Sequence, residues 1–325
     1  MLYEDRLYGN IEIDEPVILE LIACPTIQRL KGIDQGGYFE PHVPGCAHSR
    51  FEHSLGVYLL LKKFGATLEE QIAGLIHDAS HAAFSHCIDY VLDAGSQKEH
   101  NHQDNIFADF IKQSEIPEIL KKYNFSPDFI IDDANFPLKE TKLPDLCADR
   151  IDYSLRGAIV FKEIEDGQYF LDNLETENNR WIFKDFASAK KYAELFWKLN
   201  SVYYAGLPTA AMMKTVGDCL RYALKQGYIT ENDLYTTDEE VLAKIKSHLS
   251  TDQKLELLFD KMNNKVGFKN DKDDYESRIF CKSRIVDPLC RHEGKIKRVS
   301  DIDSGWKEIV ERESAPKEYH LKFDK

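Results

Sequence analysis

Between positions 52 and 79 the apolar residues fall at helical spacing, and the polar residues set among them include imidazoles and carboxylates. No other feature restricts the chain as much. A helix starts near Glu52 and runs through SLGVYLLLKKF to Gly65. Thr67 and Glu70 then form a capping-box pattern. Leu68, Ile72, Leu75, Ile76 and Ala79 repeat with the period of one helix face. His77 and Asp78 sit near the end of this second helix. His77 and His81 are four apart, so they share a face if the helix continues that far. Eight of the eleven histidines lie between His42 and His102. Imidazole and carboxylate are the ligands that hold a borderline divalent cation. His53, His77 and Asp78 supply three from one short region, and Asp149 is a fourth further on.

The remaining pattern is mostly helical. Pro25 opens a helix, PTIQRLKGID, closed by Gly36 and Gly37. Further helices are expected over 87–92, 105–114, 145–159 and 187–203, then from Pro208 to Gly227 and from Thr237 to Leu249. Trp181, Ile182 and Phe183 read as a strand. The last fifty residues are β-prone in SRIFCKSRIV, GKIKRVS and KEYHLKF. The expected fold is therefore mainly α, a helical core over 1–235 with helical extensions and a smaller α+β accessory region over 236–325.

Composition narrows the function classes. Lys and Arg total 42 against 56 Asp and Glu, a formal net charge of −14. An acidic chain argues against nucleic acid as partner, which needs a basic footprint. The longest apolar stretches, such as 57–61, are far too short to span a bilayer. The N-terminal residues are acidic and lack an apolar signal core. Seven cysteines form no CxxC pair and are an odd number. A reducing, cytoplasmic compartment fits these observations.

The stretches PGCAHSRFEHSLGV, AGLIHDASHAAFSH and ADRIDYSLRG, in that order, resemble the HD-domain phosphohydrolases. The likeness is to the branch containing the deoxynucleoside triphosphate triphosphohydrolases. It covers roughly residues 20–160 and is weaker through about 230. It implies an HD-domain helical core and a divalent metal (Mn, Mg, Fe, Co, Ni or Zn) held by His53, His77, Asp78 and Asp149. It implies His81 in the active site and Asp89 orienting His102, the general acid, with His100 as the other candidate for that role. It also implies that Arg50 meets a substrate phosphate, that Gln35 lies near the nucleoside and that Tyr153 packs against the sugar. Asp152 reads as a local hydrogen-bonding neighbour; His42, His48 and His86 read as neighbours of the site.

Two departures bear on substrate. The triphosphohydrolases carry a sugar-reading aspartate where this chain has Gly157, and a Tyr-x-His-Lys segment where it has Tyr203-Tyr204-Ala205-Gly206. The expected function is metal-dependent hydrolysis of a nucleotide or related phosphoester, metal-activated water attacking phosphorus. Deoxynucleoside triphosphate hydrolysis is its most specific version. The alternatives are a monophosphatase or pyrophosphohydrolase, a two-metal HD oxygenase, and a non-catalytic nucleotide sensor. A homo-oligomer is consistent with the family resemblance.

Overall fold

The computed structural model describes residues 1–92 and 101–324; the candidate His100 lies outside them. At its centre is the helix Arg50–Lys63. Ser49 caps it, its hydroxyl accepting from Glu52 N–H at 3.2 Å. From Arg50 to Leu61 every residue except Glu52 is buried. A helix enclosed on all sides has no solvent face for polar residues. Arg50, His53 and Ser54 therefore point into protein, and two of them find carboxylates there.

The central helix packs against Leu68–Ile76 and Ala148–Val160. Thr67 caps the first of these, its hydroxyl accepting from Glu70 N–H. That helix ends at Ile76, so His77 is its last-turn cap and the shared helical face of His77 and His81 does not form. The expected helix over 87–92 is instead a tight 3₁₀ segment, Ser85–Tyr90. It follows Phe84 and Ser85 at φ +61° and +47°, a left-handed pair that re-aims the chain under the cavity. The helix expected over 187–203 stops at Leu199 and continues as a π turn, Asn200–Tyr204. Helix Leu207–Gln226 follows, with Pro208 in its first turn and Gly227 ending it at φ +73°.

A four-stranded sheet joins Leu174–Glu177 and Arg180–Phe183 to Leu289–His292 and Lys295–Arg298. Ile182 pairs with Leu289 in parallel. A three-stranded sheet puts Lys317–Phe323 between Phe268–Asn270 and Ser277–Cys281. The chain is thus mainly helical with small sheets toward its C-terminus, as expected, and one of those sheets is shared with the core. All seven cysteines are free, Cys46 alone being half-buried and the rest buried. Among the described residues no helix is long and apolar enough to cross a membrane.

Candidate active site

Four side chains from three elements converge. His53 comes from the central helix, His77 and Asp78 from the turn after Ile76, and Asp149 from the first turn of Ala148–Val160. His53 Nε2 lies 2.8 Å from Asp149 Oδ1 and 3.2 Å from His77 Nε2. His77 Nε2 is 3.5 Å from the same Asp149 oxygen. Asp78 adds Oδ1 at 3.4 Å from His77 Nε2 and Oδ2 at 3.9 Å from His53 Nε2.

Three of these groups are held from behind. His77 Nδ1 donates to the Gly74 carbonyl at 2.7 Å. A carbonyl only accepts, so Nε2 carries the lone pair that faces the centre. His53 Nδ1 donates to Asp152 Oδ1 at 2.8 Å. Burial works against charge on Asp152, but Arg156 and His53 hold its carboxyl at about 2. Arg156 in turn bonds Asp152 and Asp5, and Tyr8 donates its hydroxyl to Asp152 at 2.9 Å. Asp149, Asp152, Tyr153 and Arg156 are spaced to share one helix face. That face comes this close because residue 56 is glycine. A Cβ there would lie 2.1 Å from Asp152 Oδ2 and 2.2 Å from Arg156 Nη2.

Arg50 serves Asp78: its Nη1 donates to Oδ2 at 2.6 Å, Nε donates to Ser85 Oγ and Nη2 to the Gln35 carbonyl. Burial raises the Asp78 carboxyl, yet Arg50 and its histidine neighbours hold it well below the usual range. The centre's pull on positive charge is visible at His53. Burial opposes its protonation, but Asp149 and Asp152 push its pKa up to about 9. Two imidazole Nε2 atoms and two carboxylates, with His53, His77 and Asp78 each fixed by a partner on the far side, fit a divalent cation.

The centre opens into a cavity of about 1140 Å³. His77, Asp78 and Asp149 line it, as do Gln35, Arg50, His81, His86 and Tyr153. Among the described residues, Gln35 Oε1, Tyr153 Oη and His81 Nδ1 are buried there without a protein partner, and so are both ring nitrogens of His48. His81 Nε2 is 3.3 Å from Asp78 Oδ1. Burial and Arg50 hold His81 neutral, its pKa well below the usual value. His42 lies elsewhere, bonded to the Met262 carbonyl.

The expected Asp89–His102 pair does not meet through the imidazole. Asp89 Oδ1 accepts from the His102 backbone N–H at 3.1 Å. The His102 ring bonds Tyr235 Oη at 3.0 Å and is not part of the cavity lining. Asp89 Oδ2 pairs instead with His86 Nδ1 at 3.3 Å. The cause is local: the 3₁₀ segment puts residues 86 and 89 on one side, whereas an α-helix starting at 87 would have left His86 outside it. The phrase FSHCID carried that signal. By contrast, nothing in the sequence marks Arg284, which lines the cavity from a segment more than 120 residues beyond Asp149.

Gly157 abuts Tyr204. A Cβ at 157 would lie 2.6 Å from the Tyr204 hydroxyl, which donates to the Tyr153 carbonyl at 3.2 Å. A second set of donors, Glu140, Cys147 and Asp149, also falls within 4.8 Å. Arg150 Nη1 already sits 3.1 Å from Cys147 Sγ, which disfavours a cation there.

The HD domain family matches residues 50–155. Uncharacterized protein YdhJ of Bacillus subtilis is 36% identical over 291 residues, spanning 89% of this chain and 88% of its own length. Metal-dependent phosphohydrolase cns2 of Cordyceps militaris is 36% identical over 54% of this chain, half of its own length. Mouse deoxynucleoside triphosphate triphosphohydrolase SAMHD1 is 33% identical over 39% of this chain, but only 22% of its own length is matched. A phosphohydrolase from Bacteroides thetaiotaomicron superposes with a TM-score of 0.75 at 17% identity, covering both chains fully, which speaks to the fold alone. The family match begins at Arg50 and ends just past Asp149 and Tyr153, so it encloses the converging imidazoles and carboxylates. The chain belongs to the HD-domain family of metal-dependent phosphohydrolases.

Proposed function

We propose that this chain hydrolyses a phosphoester or phosphoanhydride bond of a nucleotide, with His53, His77, Asp78 and Asp149 holding one divalent cation. The observation that carries the reading is the convergence of two oriented imidazole Nε2 atoms and two carboxylates at the wall of a nucleotide-sized cavity. When bound, such a cation lowers the pKa of coordinated water and offsets charge on phosphoryl oxygens.

The protein's own groups supply the rest. Arg50 fixes the Asp78 carboxylate and keeps it ionised. Asp89 fixes the His86 ring through Nδ1, which assigns Nε2 to proton transfer with the leaving oxygen. Burial, with Arg50 nearby, keeps His86 neutral in the ligand-free protein; phosphate charge beside it raises its proton affinity. His81 is the second neutral imidazole of the wall. Gln35, Tyr153 and His48 offer buried hydrogen-bonding atoms to the nucleoside.

Deoxynucleoside triphosphate hydrolysis is the finer version, supported by the partial likeness to SAMHD1. The wall at Gly157 favours a second version that releases orthophosphate or pyrophosphate. There the hydroxyl of Tyr204 lies against Gly157 and bonds the Tyr153 carbonyl, and position 157 itself offers no carboxylate to a sugar. A nucleotide panel with Mn²⁺, Mg²⁺ or Co²⁺ separates them. Intact triphosphate as product supports the first, and orthophosphate or pyrophosphate the second. No turnover of any phosphoester by metal-loaded protein would sink both.

A further inference from the structure

Most cations lining the cavity are committed to protein partners. Arg50 bonds Asp78, Ser85 and Gln35. Arg150 bonds the carbonyls of Asp145 and Thr141, and Lys139 pairs with Asp133. Lys142 is exposed at the rim. Arg284 differs from all of these. It is half-buried and lines the cavity, and among the described residues its guanidinium has no hydrogen bond or ion pair.

The backbone that delivers Arg284 is nevertheless fixed. Asn200, fully buried in the π turn, accepts from Arg284 N–H at 2.9 Å through Oδ1. Its Nδ2 donates to Ser283 Oγ at 3.0 Å. A single buried amide thus clamps two successive residues of the C-terminal segment to the core. The charge of Arg284 is felt at His86 and also at Tyr153 and Tyr204, which puts it between the proton-handling and sugar-facing parts of the wall.

A half-buried guanidinium held in place without a counter-ion bears a desolvation cost that an anion in the cavity would offset. Its planar fork matches the oxygens of a phosphate. The segment Tyr203–Gly206 brings no cation of its own to this wall. We propose that Arg284, carried by the C-terminal region and positioned by Asn200, is the residue that grips the substrate's phosphate oxygens. This rests on the reading of the chain as a nucleotide phosphohydrolase.

The test is calorimetric binding of inorganic tripolyphosphate to the full chain loaded with Mn²⁺, for wild type, Arg284→Gln and Arg284→Lys. Hydrolysis of the best nucleotide is measured in parallel. Arg284→Gln should lose about 10–100-fold in tripolyphosphate affinity, the weight of a charge-assisted hydrogen bond. Its KM should rise more than its kcat falls, manganese content should stay at the wild-type level, and Arg284→Lys should recover part of the loss. Equal affinity in wild type and Arg284→Gln overturns the assignment of Arg284 while leaving the function reading intact. A wild type that binds no tripolyphosphate and turns over no nucleotide overturns the function reading, and this assignment with it.

Discussion

The candidate metal centre and the cavity wall use the same kinds of side chain and partner them in opposite ways. In the centre, His53, His77 and Asp78 are each held on the side away from the convergence point, by Asp152, the Gly74 carbonyl and Arg50. On the wall, Gln35 Oε1, Tyr153 Oη and both nitrogens of His48 are buried with no partner among the described residues. Buried polar atoms are normally satisfied. The centre is therefore complete apart from positive charge, whereas the wall is complete only with a ligand. Preorganisation is spent on chemistry, and open hydrogen-bonding capacity on recognition.

The strongest way to break this contrast is at Asp78. Asp78→Asn keeps an acceptor for Arg50 and removes the carboxylate from the centre. We expect metal content, by elemental analysis, to collapse and turnover to fall below detection, while circular dichroism stays native. Full metal occupancy in the variant would mean that Asp78 is not a ligand. Truncation to alanine is a poorer probe, because a buried guanidinium left unpaired costs about 3–5 kcal/mol in stability.

The next largest effect sharpens the division between neighbouring histidines. His86→Gln should retain metal and lower kcat on the order of 10²–10⁴-fold, the usual weight of a positioned proton donor. His102→Ala should leave kcat near wild type, since that ring engages Tyr235 outside the cavity. The reverse ranking would restore His102 as the acid.

The smallest effect concerns how the wall is anchored. Asp238 accepts from the backbone N–H of Asp34 and of Phe84, tying the Gln35 loop to the turn beneath the cavity. Burial pushes its carboxyl up to about 7, against those two hydrogen bonds. The folded value lies above the unfolded one, near 3.9. Its contribution to stability is therefore fully present below about pH 4 and is lost as pH rises through about 7. Urea unfolding of wild type and Asp238→Asn across pH 5–8 should diverge by on the order of 1–3 kcal/mol, with wild type losing more as pH rises. Parallel pH profiles would place the ionisation elsewhere.

The sequence disclosed the parts of this site that are local. Helical spacing located the first central helix to within two residues and the Thr67 cap located the start of the second, and the three motifs named the converging side chains. It did not disclose what depends on the exact end of a helix. The stop at Ile76 separates His77 from His81, and the positive-φ pair at Phe84 and Ser85 brings His86, not His102, to Asp89. Such ends are set by tertiary packing more than by propensity. Contacts between distant segments were equally silent. The helices Ile116–Lys122, Gln253–Met262 and Ser304–Glu313 lie outside the expected elements, although the last two carry an apolar face at helical spacing. Arg284 reaches the cavity through a sheet and a buried amide that no motif announces.

The contact between Gly157 and Tyr204 also constrains how this pocket can change over evolutionary time. A carboxylate at 157 requires Tyr204 to give way, because even a Cβ would press on its hydroxyl at 2.6 Å. Whether Tyr204 moves aside or becomes smaller, the hydroxyl now bonded to the Tyr153 carbonyl leaves its place. Either substitution made alone therefore disturbs this contact, and the single-step protein is the less well-packed one. Lineages on either side of that step are separated by a valley, so the residue at 204 should predict the residue at 157.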